Sequence, residues 1–298
     1  MVLGEIEIAR TFEGPLKAPG HLIRVAQQVH TRLWAEQVGA ELTAPQFGVL
    51  LALALEPGSD QRTVGERASL DKATMAEMVG RLVRRGLVLR RRDPADGRRK
   101  LLALSPSGAQ QVREATAGVV RVQRMLFEPL DQTEQQDLVA LLGRIARLEP
   151  VAVAALAEAR PLLDAQRAVG YLIRVGQQVH TRLWNEHIGA DLTAPQYAVL
   201  EVLSLEPGID QRTVGERASL DKATMAEMVS RLVRRGLVLR RRDPADGRRN
   251  LLALSPVGQE VLGRCAPGVD EVQRLLLEPL DEAERIRAME LLRKTARL

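Results

Sequence analysis

The stretch Asp60–Pro106 reads DQRTVGERASLDKATMAEMVGRLVRRGLVLRRRDPADGRRKLLALSP, and its order of caps, apolar spacing and turn residues decides the fold. Asp60 precedes a short helical run to about Ala68. Asp71, after Ser69 and Leu70, precedes a second run to Arg85 that Gly86 stops. Two short helices joined by so tight a turn make a helix-turn-helix. In the second helix Met75, Met78, Val79 and Leu82 recur at helical spacing and are expected to pack inward, leaving Lys72, Ala73, Thr74, Ala76, Glu77 and Arg81 to face out. Leu87–Arg92 and Arg98–Leu104 then flank the turn-rich Asp93-Pro94-Ala95-Asp96-Gly97, which predicts a β-hairpin with a basic tip. Together these elements form a winged helix.

Outward from this stretch the sequence repeats itself. Residues 21–148 align without a gap on 171–298 at an offset of 150, and between Leu42–Pro106 and Leu192–Pro256 only eight of 65 positions differ. A unit of this length is no solenoid repeat, so the chain is a tandem duplication of a whole domain. The expected organisation is a first unit over 1–149, a linker over 150–168 and a second unit over 169–298. Val151–Arg160, rich in alanine and followed by Pro161, reads as a helix or stiff connector. Further helices flank each winged helix. One spans about His21–Val38; another is opened by Thr43 with Gln46 and runs to about Glu56. A third follows Ser105-Pro106 to near Glu128-Pro129, and a last is opened by Asp131 with Glu134, a signal repeated by Asp281 with Glu284. The fold class is therefore mainly α with small β-wings.

The 298 residues suffice for two domains, each burying an ordinary core without staples. The single cysteine, Cys265, forms no intrachain disulfide, which fits a reducing compartment. The apolar run Phe47–Leu55 is far short of the roughly 20 residues a membrane span needs, and Met1–Arg10 lacks the pattern of a signal peptide. A cytoplasmic protein without a membrane partner is the expectation. The net charge of +5 conceals a sharp distribution. Arg81–Lys100 holds nine bases against two acids and Arg231–Asn250 eight against two, so these stretches carry +13 and the rest of the chain −8. That is the footprint of a chain gripping a polyanion at two places. Aromatic residues, 2% and scattered, exclude a stacking platform for single strands. The sequence has no nucleophile with a nearby base, no Gly-rich phosphate loop and no close His/Cys cluster, so no catalytic residue, metal or cofactor is expected.

The partner expected is double-stranded DNA, with the second helix in the major groove and the hairpin over a phosphate ridge or in the minor groove. Thr74 and Ala76 can touch thymine methyl groups, Lys72 can reach guanine or phosphate, and Glu77 can accept from cytosine. Ala73 and Arg81 complete the helix set, which Lys222, Ala223, Thr224, Ala226, Glu227 and Arg231 repeat. Arg91, Arg98 and Arg99, with Arg241, Arg248 and Arg249, are the wing candidates. Their mutual repulsion is hard to rationalise without an anionic partner, although a solvated charged hairpin is the bland reading. Asp93 and Asp96 are read as braces for these arginines. The rival function is a non-specific architectural DNA-binding protein, which shares the basic wings but does not discriminate sequences.

In order, Leu42-Thr43-Ala44-Pro45-Gln46, the helix-turn-helix Arg62–Arg85, Gly86-Leu87-Val88, Asp93–Arg99 and Leu104–Gly108 resemble the MarR family of winged-helix transcription regulators, in both copies. The resemblance implies two winged helix-turn-helix lobes on a shared helical, dimerisation-like body built from the first and last two helices. It also implies a repressor released by a small, often aromatic or phenolic ligand, with a wing arginine in the minor groove, here Arg98 or Arg99 and Arg248 or Arg249. Glu77 departs from the basic or small residue that many members carry there, which leaves base preference open.

Fusion of two copies has a physical meaning. One chain with two like recognition helices can act as a monomeric pseudo-dimer on an inverted-repeat operator, its halves held at high effective concentration. The copies diverge elsewhere: His21 faces Tyr171, Phe47 faces Tyr197, and Leu51 faces Glu201 across the alignment. On the first helix His30 and Trp34 share a stripe, repeated by His180 and Trp184. These residues, with Arg24 or Arg174, are either a pocket for an aromatic carboxylate or a packed helix interface. Cys265, opposite Ala115, is expected to be buried and inert.

Overall fold

The computed structural model describes residues 18–93, 99–148, 169–244, 246 and 249–298. The first repeat runs α1 (Pro19–Gln37), α2 (Ala44–Leu55), α3 (Gln61–Ala68), α4 (Lys72–Arg84), β1 (Val88–Arg92), β2 (Lys100–Leu104), α5 (Pro106–Phe127) and α6 (Gln132–Ile145). The second runs α7 (Val169–His187), α8 (Ala194–Leu205), β3 (Ile209–Asp210), α9 (Gln211–Arg217), α10 (Lys222–Arg234), β4 (Val238–Arg242), β5 (Asn250–Leu254), α11 (Pro256–Leu277) and α12 (Glu282–Ala296). The expected linker, 150–168, lies outside the described residues.

Local chemistry sets these boundaries. The Thr43 hydroxyl accepts from the Gln46 N–H while the Gln46 side chain accepts from the Thr43 N–H, closing a capping box that opens α2. Asp60 and Asp71 accept from the backbone of the first turns of α3 and α4, each such cap contributing about 1 kcal/mol. Gly86 and Gly236, at φ +71° and +72°, end the recognition helices in the left-handed region that glycine adopts freely. Ser69 and Ser219 hold the helix-turn-helix corners at φ +48° and +52°.

The wing strands pair antiparallel from Val88 opposite Leu104 to Arg92 opposite Lys100, and from Val238 opposite Leu254 to Arg242 opposite Asn250. Only Val88 of β1 is buried, so the rest of that strand is held by its ladder and projects outward. The hairpin is anchored to the helix-turn-helix. Asp60 bridges to Leu101, and β3 pairs with β5 at Ile209 opposite Leu252.

The chain divides into two compact units that do not follow the repeat boundary. Of the described residues, the larger unit gathers 18–27, 129–148 and 171–298, and the smaller 28–128 and 169–170. Each unit has a core around its winged helix. In the smaller unit Leu50, Leu53, Val64, Met75, Val79, Leu82 and Leu102 are buried together, with Met78 packed half-buried against them. In the larger unit Leu200, Leu203, Val214, Met225, Val229, Leu232 and Leu252 do the same.

Within the larger unit the last helices of the two repeats, α6 and α12, lie side by side. Glu134 pairs with Lys294 at 2.5 Å, and Arg144 pairs with Glu284. These two pairs are one interaction made twice, since 134 corresponds to 284 and 144 to 294 at the repeat offset. Asp137 meets its own counterpart, Arg287, at 3.0 Å. Such reciprocity is the pattern a two-fold interface produces.

Candidate nucleic-acid interface and ligand cavity

The helix-turn-helix of each unit presents the predicted face. Lys72, Ala73, Thr74, Ala76, Glu77 and Arg81 are all exposed, as are Lys222, Ala223, Thr224, Ala226, Glu227 and Arg231. Three of these polar groups are already engaged by neighbours in sequence. The Thr74 hydroxyl donates to Asp71 Oδ2 at 2.5 Å, which leaves its methyl group outward, and Arg81 pairs with Glu77 one turn away. Thr224 with Asp221 and Arg231 with Glu227 repeat both contacts. Glu77 therefore offers a carboxylate partly neutralised by Arg81, and a base must compete with that exposed pair.

On the wings Arg91 and Arg241 are exposed, and Arg98 and Arg248 lie outside the described residues. Arg99 has a structural partner that spacing did not reveal. It donates to Asp60 Oδ2 at 2.5 Å and lies 3.9 Å from Asp93, while Arg249 reaches Asp210 at 2.5 Å. The Thr63 N–H and then Arg99 hold the Asp60 carboxyl down to about 2. One aspartate thus caps the first helix of the helix-turn-helix and fastens the base of the wing. Of the expected braces, Asp93 contributes the longer contact, and Asp96 is outside the described residues.

The larger unit also encloses a cavity of about 40 Å³ where α1 crosses the second repeat. His21 and Arg24 of α1 line it together with His180 and Trp184 of α7 and Tyr197 and Glu201 of α8. Arg24, 9% exposed, donates to the carbonyl oxygens of Ala218 at 2.7 Å and Ser219 at 3.2 Å, and lies 3.0 Å from His21 Nδ1. Ala218 ends α9, and Ser219 makes the turn into the recognition helix α10. A cavity side chain therefore holds the corner of the helix-turn-helix through charge-assisted bonds, each contributing about 1.5–3 kcal/mol.

The electrostatics follow from this burial. Burial, then Arg24 and His180, hold His21 down to about 3, and burial with Arg24 holds His180 to about 4, so both rings are neutral at neutral pH. Burial lowers Arg24 to about 10, and it stays cationic. Glu201 is pushed up to about 7 by burial and by Asp270, and the Tyr197 phenol is raised by burial and by Glu201. His180 is 2% exposed, and neither ring nitrogen has a hydrogen-bond partner among the described residues. The Trp184 N–H is taken by the Leu192 carbonyl at 2.6 Å, so that ring offers the cavity its face rather than a donor.

The same parts recur in the smaller unit with other chemistry. His30, Trp34 and Phe47 stack edge to face with centroids 5.8 Å apart, and Trp34 donates to the Leu42 carbonyl at 2.6 Å. Gln123 accepts from the Gly170 N–H at 3.1 Å, as Gln273 does from Gly20 at 2.9 Å in the larger unit. Each glycine is required by close approach. A β-carbon on Gly20 would lie 2.2 Å from His180 Nε2, and one on Gly170 2.5 Å from His30 Nε2. In the larger unit, by contrast, Arg174 stacks on Tyr171 at 5.1 Å and borders an open groove of about 660 Å³ with Gln27, Gln177 and Arg182. Arg24, His180 and Trp184 are thus brought together in one unit, and His30 with Trp34 in the other.

A family model described as MarR family matches residues 40–99 and again 190–249. The chain is 43% identical over 117 residues to the transcriptional regulator HosA of Escherichia coli O111:H-, covering 39% of this chain and 86% of that relative. The chain belongs to the MarR family of transcriptional regulators. It is also 30% identical over 132 residues to the HTH-type transcriptional repressor NicR of Pseudomonas putida, covering 44% of this chain and 84% of the relative. Among solved structures, it is similar to the PcaV regulator of Streptomyces coelicolor with its natural ligand. The identity is 44%, the match covers 47% of this chain and 94% of that one, and the TM-score is 0.43. The two matches of the family model, 150 residues apart, make this a tandem MarR chain.

Several MarR features of this chain escape sequence reasoning. Arg24 was legible as a cation on a helix face, but its acceptors are backbone carbonyls, which leave no mark in a sequence. Glu201 was visible only as a departure from Leu51. Its neighbour Asp270 replaces Val120 and Cys265 replaces Ala115, so the second repeat has exchanged apolar for polar groups at several positions of one region. Cys265 is buried, and burial raises its thiol. No described helix is long and apolar enough to cross a membrane.

Proposed function

We propose that the chain is a ligand-responsive repressor that reads an inverted-repeat DNA operator as an intrachain pseudo-dimer. The observation that carries the reading is the reciprocal contact of α6 and α12, Glu134 with Lys294 and Arg144 with Glu284. Contacts related in this way by the repeat offset are those a homodimer interface makes, which supports reading the two copies as its halves. Support comes also from the two exposed recognition faces, alike from Asp71 to Val79 and Asp221 to Val229, and from the name repressor carried by the NicR relative. Each repeat then serves as one MarR-like unit, with 150–168 as the connector. Lys72, Ala73, Thr74, Ala76, Glu77 and Arg81 meet bases or phosphates in one half-site, and their counterparts 150 residues on meet the other. Arg91, Arg98, Arg241 and Arg248 grip the flanking backbone or minor groove. Arg99 and Arg249 act chiefly by fastening the wing to Asp60 and Asp210.

The ligand acts through Arg24. An aromatic carboxylate entering beside Trp184 competes with the Ala218 and Ser219 carbonyls for the guanidinium, and the corner before α10 loses its tie. The cavity in its present packing has no room for a ring, so binding and release of that tie are one event. In the smaller unit His30 and Trp34 take the roles of His180 and Trp184.

The test is a gel shift of DNA upstream of the chain's own gene against random DNA at about 0.15 M salt, where a specific regulator gains about 10³-fold or more. Light scattering runs in parallel. Equal binding to both DNAs makes the chain an architectural binder instead. A mass near twice 32.8 kDa at micromolar concentration removes the pseudo-dimer while leaving DNA recognition standing.

A further inference from the structure

Resting on that ligand-site reading, one difference between the repeats goes further. The first repeat buries Phe47 and Leu51 on α2 with Ala115 on α5, where Val120 is half-buried. At the matching positions the second repeat has Tyr197, Glu201, Cys265 and Asp270. A lone carboxyl among Trp184 and Tyr197 is costly to ionise, and no basic side chain among the described residues pairs with Glu201. The charged neighbour that acts on it is another acid, Asp270. Protein interiors keep such a group neutral or give it a cation. Arg24, on the same cavity, is committed to the Ala218 and Ser219 carbonyls.

We infer that the cavity of the larger unit selects a zwitterionic aromatic ligand, one bearing both a carboxylate and an ammonium group. The carboxylate takes Arg24, the ring lies against Trp184 and Tyr197, and the ammonium takes Glu201. His180 supplies a neutral, otherwise unpartnered nitrogen at the same wall. An ammonium suits this place twice over, because the faces of Trp184 and Tyr197, 5.8 Å apart by centroids, attract cations as the carboxylate does. The first repeat, with Phe47 and Leu51, has the aromatic contacts without the acid. The zwitterion therefore occupies the site of the second repeat alone.

The experiment is calorimetric titration of the full chain at pH 7.5 with two isosteric probes, 4-(aminomethyl)benzoate and 4-(hydroxymethyl)benzoate. The amine is expected to bind at one per chain, about tenfold or more tighter than the alcohol. Glu201→Gln, which keeps the shape, should remove that preference and leave the alcohol's affinity within about twofold. If neither probe binds wild type, the ligand-site reading fails. If the alcohol binds and the amine binds no tighter, or Glu201→Gln leaves the preference intact, the zwitterion inference alone is overturned. Glu201→Leu, which installs the first repeat's own residue, provides a second variant that the fold already accommodates.

Discussion

The two repeats agree where they present a helix outward and differ where they close around a cavity. α4 and α10 differ only at Gly80 against Ser230, and the wing strands only at Lys100 against Asn250. Yet Phe47, Leu51, Ala115 and Val120 have become Tyr197, Glu201, Cys265 and Asp270 within a few turns of α8 and α11. If each recognition helix serves one half of a symmetric operator, as proposed, it has the same partner as its twin, and both copies answer to one shape. A cavity in a fused chain has no such twin requirement. In a homodimer every substitution appears twice, whereas here a carboxyl enters the second repeat at Glu201 while the matching position of the first remains Leu51.

The strongest way to break the outward half of this comparison is to remove both wing tips. Arg98→Ala with Arg248→Ala should weaken operator binding about 100-fold, at roughly 1–3 kcal/mol per contact, and reduce the salt slope by about two. Fluorescence anisotropy across salt concentrations reads both, and an unchanged slope would show that the wings do not grip DNA.

Next comes the close approach of each helix start to a histidine. Gly20→Ala places a β-carbon against His180, and overpacking of this kind costs about 1–3 kcal/mol; Gly170→Ala does the same against His30. Urea unfolding should register both, and two neutral outcomes would refute the close approach of helix start and histidine.

The inward half of the comparison is sharpened by pH. Glu201 holds its proton up to about 7, against the ordinary 4.5, so in the folded state its neutral form is favoured and stability is lost as pH rises through that window. Glu201→Leu should therefore gain on the order of 1 kcal/mol at pH 8 and little at pH 4.5. His21 and His180 act with the opposite sign. Their folded values of about 3 and 4 lie below the ordinary 6.5, so the unfolded chain takes up protons that the folded chain refuses. Stability falls as pH drops from about 6.5 towards 4, and His21→Gln should flatten that slope in thermal melts.

The smallest effect belongs to the surface. Glu77→Ala should change stability by no more than about 0.5 kcal/mol, since the Glu77–Arg81 pair is exposed. It should nevertheless alter operator preference, because it frees Arg81 and removes an acceptor for cytosine. Selection of binding sites from a random pool would detect the change, and an unaltered preference would place Glu77 away from the bases.

How much of this was legible beforehand depends on the range of each interaction. The boxes of Thr43 with Gln46 and Asp131 with Glu134, and the Asp71 cap, act within four residues, and all three appear where the sequence placed them. The inward set Met75, Val79 and Leu82 follows from helical geometry alone. Arg99 was read as a DNA contact, and the bond it makes to Asp60 spans 39 residues, beyond any local pattern. The histidine and tryptophan stripes were recognised without their fate. The structure shows both tryptophan N–H groups spent on backbone carbonyls, with His180 left facing a cavity.

The sequence by itself determined the winged helix, its duplication and the two basic stretches, because caps, periodicity, turn residues and charge are written in neighbouring positions. Only the tertiary structure decided that the start of the first repeat, through Gly20, His21 and Arg24, completes a cavity of the second. The physical reason is that Arg24 is satisfied by the carbonyls of Ala218 and Ser219, and a backbone carbonyl is the same in every residue. Its position becomes known only when the chain has folded back on itself.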